Sequence, residues 1–167
     1  MPKKFSFTSA LDHDVERVHA TLTNEEFWKN RIAASPTGDA ELEVRGSGPG
    51  TISLTMADSM GTSGLPSVVR GVLPGPLVIE RADEWGPLDG GIAHGVLTGG
   101  ARGLPITVSA RSELRAGDTG GTVVEVHGEA TVKVPLVGGK IEGLIVQLVE
   151  SMVRNDSREI DTWLADS

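Results

Sequence analysis

Residues 138–164, GGKIEGLIVQLVESMVRNDSREIDTWL, decide how the rest of the chain folds. Within them Ile141, Leu144, Ile145, Leu148, Val149, Met152, Val153, Ile160, Trp163 and Leu164 recur at steps of three and four, the period of one face of an α-helix. The pattern predicts one amphipathic helix over Lys140–Ala165, roughly 39 Å long at the usual rise per residue. Gly143 costs such a helix about 1 kcal/mol, whereas each large apolar side chain gains roughly 1.5–3 kcal/mol on full burial. Packing rather than propensity therefore holds it, and its apolar face needs a broad partner surface. Asp156 interrupts that face, four residues after Met152 and four before Ile160. It is either a partly exposed carboxylate paired at the edge of the seam or a polar anchor inside a cavity.

Upstream the chain reads mostly as strand. Phe5 and Phe7 alternate with Ser6 and Thr8 over Lys4–Ala10, the period of a half-buried strand. The period then changes. Behind a cap at Asp12, Val15, Val18, His19 and Leu22 follow helical spacing, and Thr23-Asn24-Glu25-Glu26 opens a second short helix carrying Phe27, Trp28 and Ile32. Alternation returns with Leu42 and Val44, and again with Ile52, Leu54 and Met56. Asp58–Gly64 reads as a loop and Leu65–Leu73 as a short helix with proline in its first turn. Leu77–Trp85, Gly91–Thr98, Leu104–Leu114 and Gly121–Val134 read as four further strands, joined by short turns rich in Gly, Asp and Pro that suit an antiparallel meander. In the last two, Ile106, Val108, Ala110 and Leu114, and then Val124, Val126, Ala130 and Val132, each mark one apolar face. A sheet and a helix with one apolar face each bury both by packing together.

Composition narrows the function. A chain of 167 residues suits a single domain over 1–167 with a substantial core. The net charge of -8 opposes phosphate backbones and anionic lipid surfaces, so nucleic acid is not expected as a partner. With no cysteine, thiolate catalysis, disulfides and cysteine metal sites are excluded. Residues 1–8 lack the apolar core of a signal peptide, and no run approaches the ~20 apolar residues that span a bilayer, from which a cytoplasmic protein is expected.

The order strand, two short helices, six strands and long C-terminal helix, the segment Val132-Lys133-Val134-Pro135-Leu136-Val137-Gly138-Gly139-Lys140-Ile141-Glu142, and Trp85 ending a middle strand are together similar to the START-like and Bet v 1-like (SRPBCC) superfamily, in an uncharacterised actinobacterial branch. The resemblance covers nearly the whole chain. It implies an α+β helix-grip fold in which a curved, seven-stranded antiparallel sheet wraps the C-terminal helix, with a cavity between them that commonly takes lipids, sterols or polyketides. The same superfamily contains aromatase-type cyclases and proteins with no known ligand, so the fold leaves the function open.

Candidate pocket residues follow from the strand and helix faces. Leu54 and Met56, Ile106 and Val108, and Leu148 and Met152 supply apolar walls. Ile79, Arg81, Asp83 and Trp85 share one face of a strand; if Trp85 points inward, Arg81 and Asp83 form an interior ion pair, costly unless well satisfied, and such pairs more often sit at a sheet edge. With Asp156 they are the charges whose phase suggests a cavity lining, where they would orient the polar end of an apolar ligand. His94 enters the pocket if Ile92 and Val96 point inward; the opposite phase, with Ala93, Gly95 and Leu97 inward, serves almost as well.

Other motifs carry no chemistry. His13 and His19 do not share a helix face, His19 reads as a hydrogen-bonded packing residue, and His127 lies on a solvated strand face with Glu125 and Glu129, so no metal site is expected. Thr98–Gly103 is glycine-rich, lacks the Gly-Lys-Ser/Thr ending of a phosphate loop, and reads as a turn or a loop at the cavity mouth. Gly-x-Ser-x-Gly is missing. No cofactor is implied. The leading expectation is binding or transport of a hydrophobic small molecule; the alternatives are a polyketide cyclase or aromatase-like enzyme, and an interaction domain whose cavity is filled by its own side chains.

Overall fold

In a computed structural model the described residues are 2–33, 40–45, 50–60, 71, 77–102, 104–133 and 138–166. Strand β1 (Lys3–Leu11) leads into helices α1 (Val15–Leu22) and α2 (Glu25–Ala33), then β2 (Glu41–Arg45), β3 (Ile52–Met60), β4 (Leu77–Trp85), β5 (Ala93–Ala101), β6 (Ile106–Ala116), β7 (Thr122–Val132) and helix α3 (Gly138–Ala165). The sheet order is β1-β7-β6-β5-β4-β3-β2, and every neighbouring pair is antiparallel. Strands β2 to β7 form the expected meander, and β1 adds to its far edge. This is the helix-grip architecture, with α3 lying on the apolar face of the sheet. Among the described residues no helix is long and apolar enough to cross a membrane.

Local chemistry starts and stops each element. Asp14, not Asp12, caps α1, accepting a hydrogen bond from the Arg17 backbone N–H. Asn24 accepts from the Glu26 N–H at the head of α2. The long helix begins at Gly138, two residues before the expected start, and its 28 residues span about 42 Å. Its second turn is tied back to the sheet by Glu142, whose carboxylate is buried and accepts from the Val132 N–H at 3.0 Å. Gly120 and Gly121, both at positive φ, turn β6 into β7.

Three expected boundaries move. Asp58 belongs to β3, which runs to Met60 and pairs with Leu77–Ile79. The glycine-rich segment is not a loop at its start, because Thr98 to Ala101 continue β5 and Gly99 and Gly100 pair with Val108 and Thr107. β7 ends at Val132, and Val134 and the expected helix at Leu65–Leu73, of which Gly71 alone is described, lie outside the described residues. In the first two cases strand pairing with a neighbour overrode local turn chemistry.

The packing is uneven across the sheet. α3 approaches the backbone of β1 and β7 most closely, and Ser9 on β1 donates to Ser157 at 2.8 Å. The hairpin of α1 and α2 closes the space toward the helix C-terminus. Trp28 is fully buried and donates its ring N–H to the Leu22 carbonyl at 2.8 Å, and Phe27 meets Trp163 edge-on with ring centroids 5.6 Å apart. On the inner face Trp85 pairs with Gly95. A Cβ on Gly95 would lie 2.8 Å from the Trp85 ring, so glycine there makes room for the indole. Gly95→Val is expected to destabilise the protein by roughly 1–3 kcal/mol through overpacking, read as a lower urea midpoint with an unchanged slope.

Candidate functional site

β4 carries Ile79, Arg81, Asp83 and Trp85 on its inner face, and α3 brings Asp156 above them. Arg81 is 8% exposed, Asp83 3% and Asp156 5%, so the ion pair lies in the interior and the sheet-edge and seam-edge expectations for these three residues are overturned. What makes burial tolerable is the number of bonds. Arg81 donates from Nε to Asp83 Oδ1 at 3.0 Å, from Nη2 to Asp83 Oδ2 at 2.6 Å, and from Nη2 to Asp156 Oδ2 at 2.5 Å. The other oxygen of Asp156 accepts from Arg31 of α2, Nε at 3.0 Å and Nη2 at 2.6 Å. The Trp28 ring lies 5.8 Å from the Arg81 guanidinium carbon, within cation–π reach. Three elements thus meet at a quartet of two arginines and two aspartates, buried except for the partly exposed Arg31. No described buried side-chain polar atom lacks a partner.

Burial by itself would lower the Arg81 pKa, but Asp156 and Asp83 outweigh it and hold the guanidinium charged. Burial pushes the Asp83 carboxyl above the ordinary carboxylate range, against the pull of Arg81.

Two small voids flank the quartet. The first, about 30 Å³ of space for the centre of a water-sized sphere, lies between Ile79, Leu97, Ile106 and Val108 on the sheet and Ile145, Leu148, Val149 and Met152 on α3, with Arg81 on its wall. The second, about 40 Å³, is bounded by Arg81, Asp83, Asp156, Ser112 and Ser157 together with Leu22, Trp85, Val153 and Ile160. Each has room for a water or two. Neither as it stands matches the few hundred Å³ of a typical ligand pocket.

Most of the candidate residues gather here, and some do not. Ile79, Arg81, Ile106, Val108, Leu148 and Met152 border the first void, and Arg81, Asp83, Trp85 and Asp156 the second. Leu54 is 1% exposed and packs in the core, and Met56 is half-buried against it. The inward phase considered for His94 and Val96 is incorrect: Ala93, Gly95 and Leu97 point in, and His94 is exposed on the outer face. Val96 borders the second void but is 45% exposed. Trp85 dictates this phase, because its ring needs the glycine at position 95 beneath it. His19 is the expected packing residue, its Nε2 2.9 Å from the Gly86 carbonyl oxygen, and His127 is exposed beside Glu125. Among the described residues no group of three metal-ligating side chains assembles. Sequence reading missed Arg31, which nothing local distinguishes from any basic residue in the last turn of a helix; Leu97 belongs to the alternative phase of β5, the one the structure adopts.

Removing one partner of the quartet should cost far more than removing the quartet. Asp156→Ala, which leaves two guanidinium groups facing one carboxylate, is expected to destabilise by roughly 3–5 kcal/mol. Replacing Arg31, Arg81, Asp83 and Asp156 together by Met, Met, Leu and Leu should cost much less, and chemical denaturation of both variants checks it. The pH dependence has a definite sign. A carboxyl raised in the folded state keeps a proton that the unfolded chain has lost, so its stabilising contribution is complete below the ordinary value of 3.8 and is lost as pH rises through the folded value. The stability of the native sequence relative to Asp83→Asn is therefore expected to fall as pH rises above 3.8, measured by urea unfolding at a series of pH values.

Comparison with known proteins places this arrangement in a family. Residues 6–164 match the family model described as "Protein of unknown function (DUF2505)". An uncharacterised protein of Mycobacterium tuberculosis H37Rv and one of Mycobacterium bovis are each 28% identical over 173 aligned positions, covering 100% of this chain and 99% of theirs. Among solved structures, the di-domain ARO/CYC BexL of the BE-7585A biosynthetic pathway superposes with a TM-score of 0.62 at 12% identity, over 96% of this chain and 49% of its own. Ara h 8.0201 gives 0.57 at 13% over the whole of both chains. Norcoclaurine synthase from Thalictrum flavum gives 0.53 at 12%, over 100% of this chain and 88% of the enzyme. At these identities the likeness is one of fold. The chain belongs to the DUF2505 family of proteins of unknown function and has a Bet v 1-like helix-grip fold.

Proposed function

We propose that this protein is a single-domain binding module that holds a hydrophobic small molecule, of lipid, sterol-like or polyketide type, between the sheet and α3. The observation that carries the reading is the first void: its walls are mostly apolar side chains of β4, β5, β6 and α3, with Glu80 and Arg81 the charged residues that border it. Apolar walls with a small number of placed polar groups are the usual composition of a small-molecule site. Ile145, Leu148 and Met152 on α3 are only partly buried, and Met and Leu side chains repack at modest cost. A ligand would enter by displacing them on the side of α3 away from its closest contacts with β1 and β7. The net charge of -8 supports a partner other than nucleic acid.

The size of the voids favours one second reading, an interaction domain whose interior is filled by its own side chains. The cyclase reading loses support from the exposed position of His94. Native mass spectrometry of gently purified protein, followed by organic extraction, separates the first two. The binding reading expects a stoichiometric apolar adduct that disappears in Leu148→Trp, whose indole occupies the void. A filled interior expects no adduct on either protein and only a loss of roughly 1–3 kcal/mol in the variant.

A further inference from the structure

The quartet does more than pay for a buried arginine. Arg81 keeps two hydrogen bonds to Asp83 within β4, and Asp156 keeps two from Arg31 between α2 and α3. The fifth contact, Arg81 Nη2 to Asp156 Oδ2, is the one that crosses from sheet to long helix. Opening it leaves two complete ion pairs, whereas opening either of the others strips a buried charge of its bidentate partner. Arg81 borders both voids and Asp156 the second, so one partner of the crossing contact is shared by the two voids.

We propose that the Arg81–Asp156 contact is an exchangeable latch. It opens to join the two voids and receives, between guanidinium and carboxylate, a neutral ligand group that both accepts and donates a hydrogen bond, such as a hydroxyl or a primary amide on an apolar body. This deepens the binding function proposed above and rests on it. When the latch opens, one N–H donor and one carboxylate acceptor face the gap. A hydroxyl accepts from the first and donates to the second. A ligand carboxylate satisfies Arg81 but meets Asp156 as a like charge, and an ammonium satisfies Asp156 but meets Arg81. Either ionised head group also brings a further charge into an interior where the arginines and aspartates are already paired with one another. The apolar body lies along Ile79, Leu97, Ile106, Val108, Ile145 and Met152.

The test is a matched series on the full chain in mildly alkaline buffer: octanol, octanamide, octanoate, octylamine and octane, with affinities from calorimetry and adducts from native mass spectrometry. Octanol and octanamide are expected to bind at least about tenfold more tightly than the two ionised ligands and than octane. Asp156→Asn, which leaves the site with an excess positive charge, is expected to turn the preference to octanoate. Arg31→Gln, at a side chain 20% exposed and so more tolerant of change, is expected to turn it toward octylamine. Octanoate, octylamine or octane binding as tightly as the alcohol to the native sequence overturns the latch and leaves the binding function standing. So does a native order of affinities retained in the folded variant or variants. Failure of all five to bind overturns both.

Discussion

A guanidinium held in the interior is the constraint on which the rest of this structure depends. Arg81 lies on the inner face of β4 and is only 8% exposed, and every neighbour that makes this bearable has a structural consequence. Asp83 must lie two residues along the same strand, because only the residues one pleat away share the face. Asp156 must come from the helix above, which fixes the rotation of α3 about its own axis. Arg31 then balances Asp156 and draws α2 against the long helix, and Trp28 of the same short helix places its ring against the guanidinium. The buried charge thus links β4, α2 and α3, which backbone proximity alone does not do, since α3 packs most closely on β1 and β7.

The apolar packing is arranged around this polar centre rather than independently of it. β5 carries small residues where β4 carries large ones: Gly95 beside Trp85 and Gly99 beside Arg81. Gly95 lets the Trp85 ring lie across the neighbouring strand, while Arg81 reaches up to Asp156 on the helix. Among the described residues, sheet and helix border two small voids, one mostly apolar and one lined by the charges. The polar centre also explains why the opposite end of α3 needs a separate anchor. There, Glu142 reaches back to the last residue of β7 and holds the start of the helix to the end of the sheet.

The parts of the fold legible from residue patterns were those with strong contrast between faces. The long helix shows ten apolar positions in phase, and β6 and β7 alternate clearly between valines or isoleucines and charged or hydroxyl side chains, so helix, meander and one-sided sheet could be read directly. β5 was ambiguous because its inward residues Ala93 and Gly95 are less hydrophobic than its outward Val96 and Ile92. Hydropathy alone favours the wrong phase there, and only the Trp85 ring across the strand gap reverses it. The start of the glycine-rich segment looked like a turn for the same reason: local preference is weak beside the hydrogen bonds that β4 and β6 offer on either side. Asp156 was visible as an anomaly on an apolar seam, but its partners lie 75 and 125 positions away in the chain.

The sequence by itself determined the architecture. Periodicity is a local property, and a one-faced helix following a set of one-faced strands has few ways to bury itself. It also determined which charged residues would be exceptional, since Arg81, Asp83 and Asp156 occupy apolar phases. Tertiary structure decided what those charges became. Whether a buried arginine is tolerable depends on how many acceptors converge on it in space; Trp28 and Asp156 reach Arg81, and Arg31 reaches Asp156, from segments whose mutual distances no local pattern encodes.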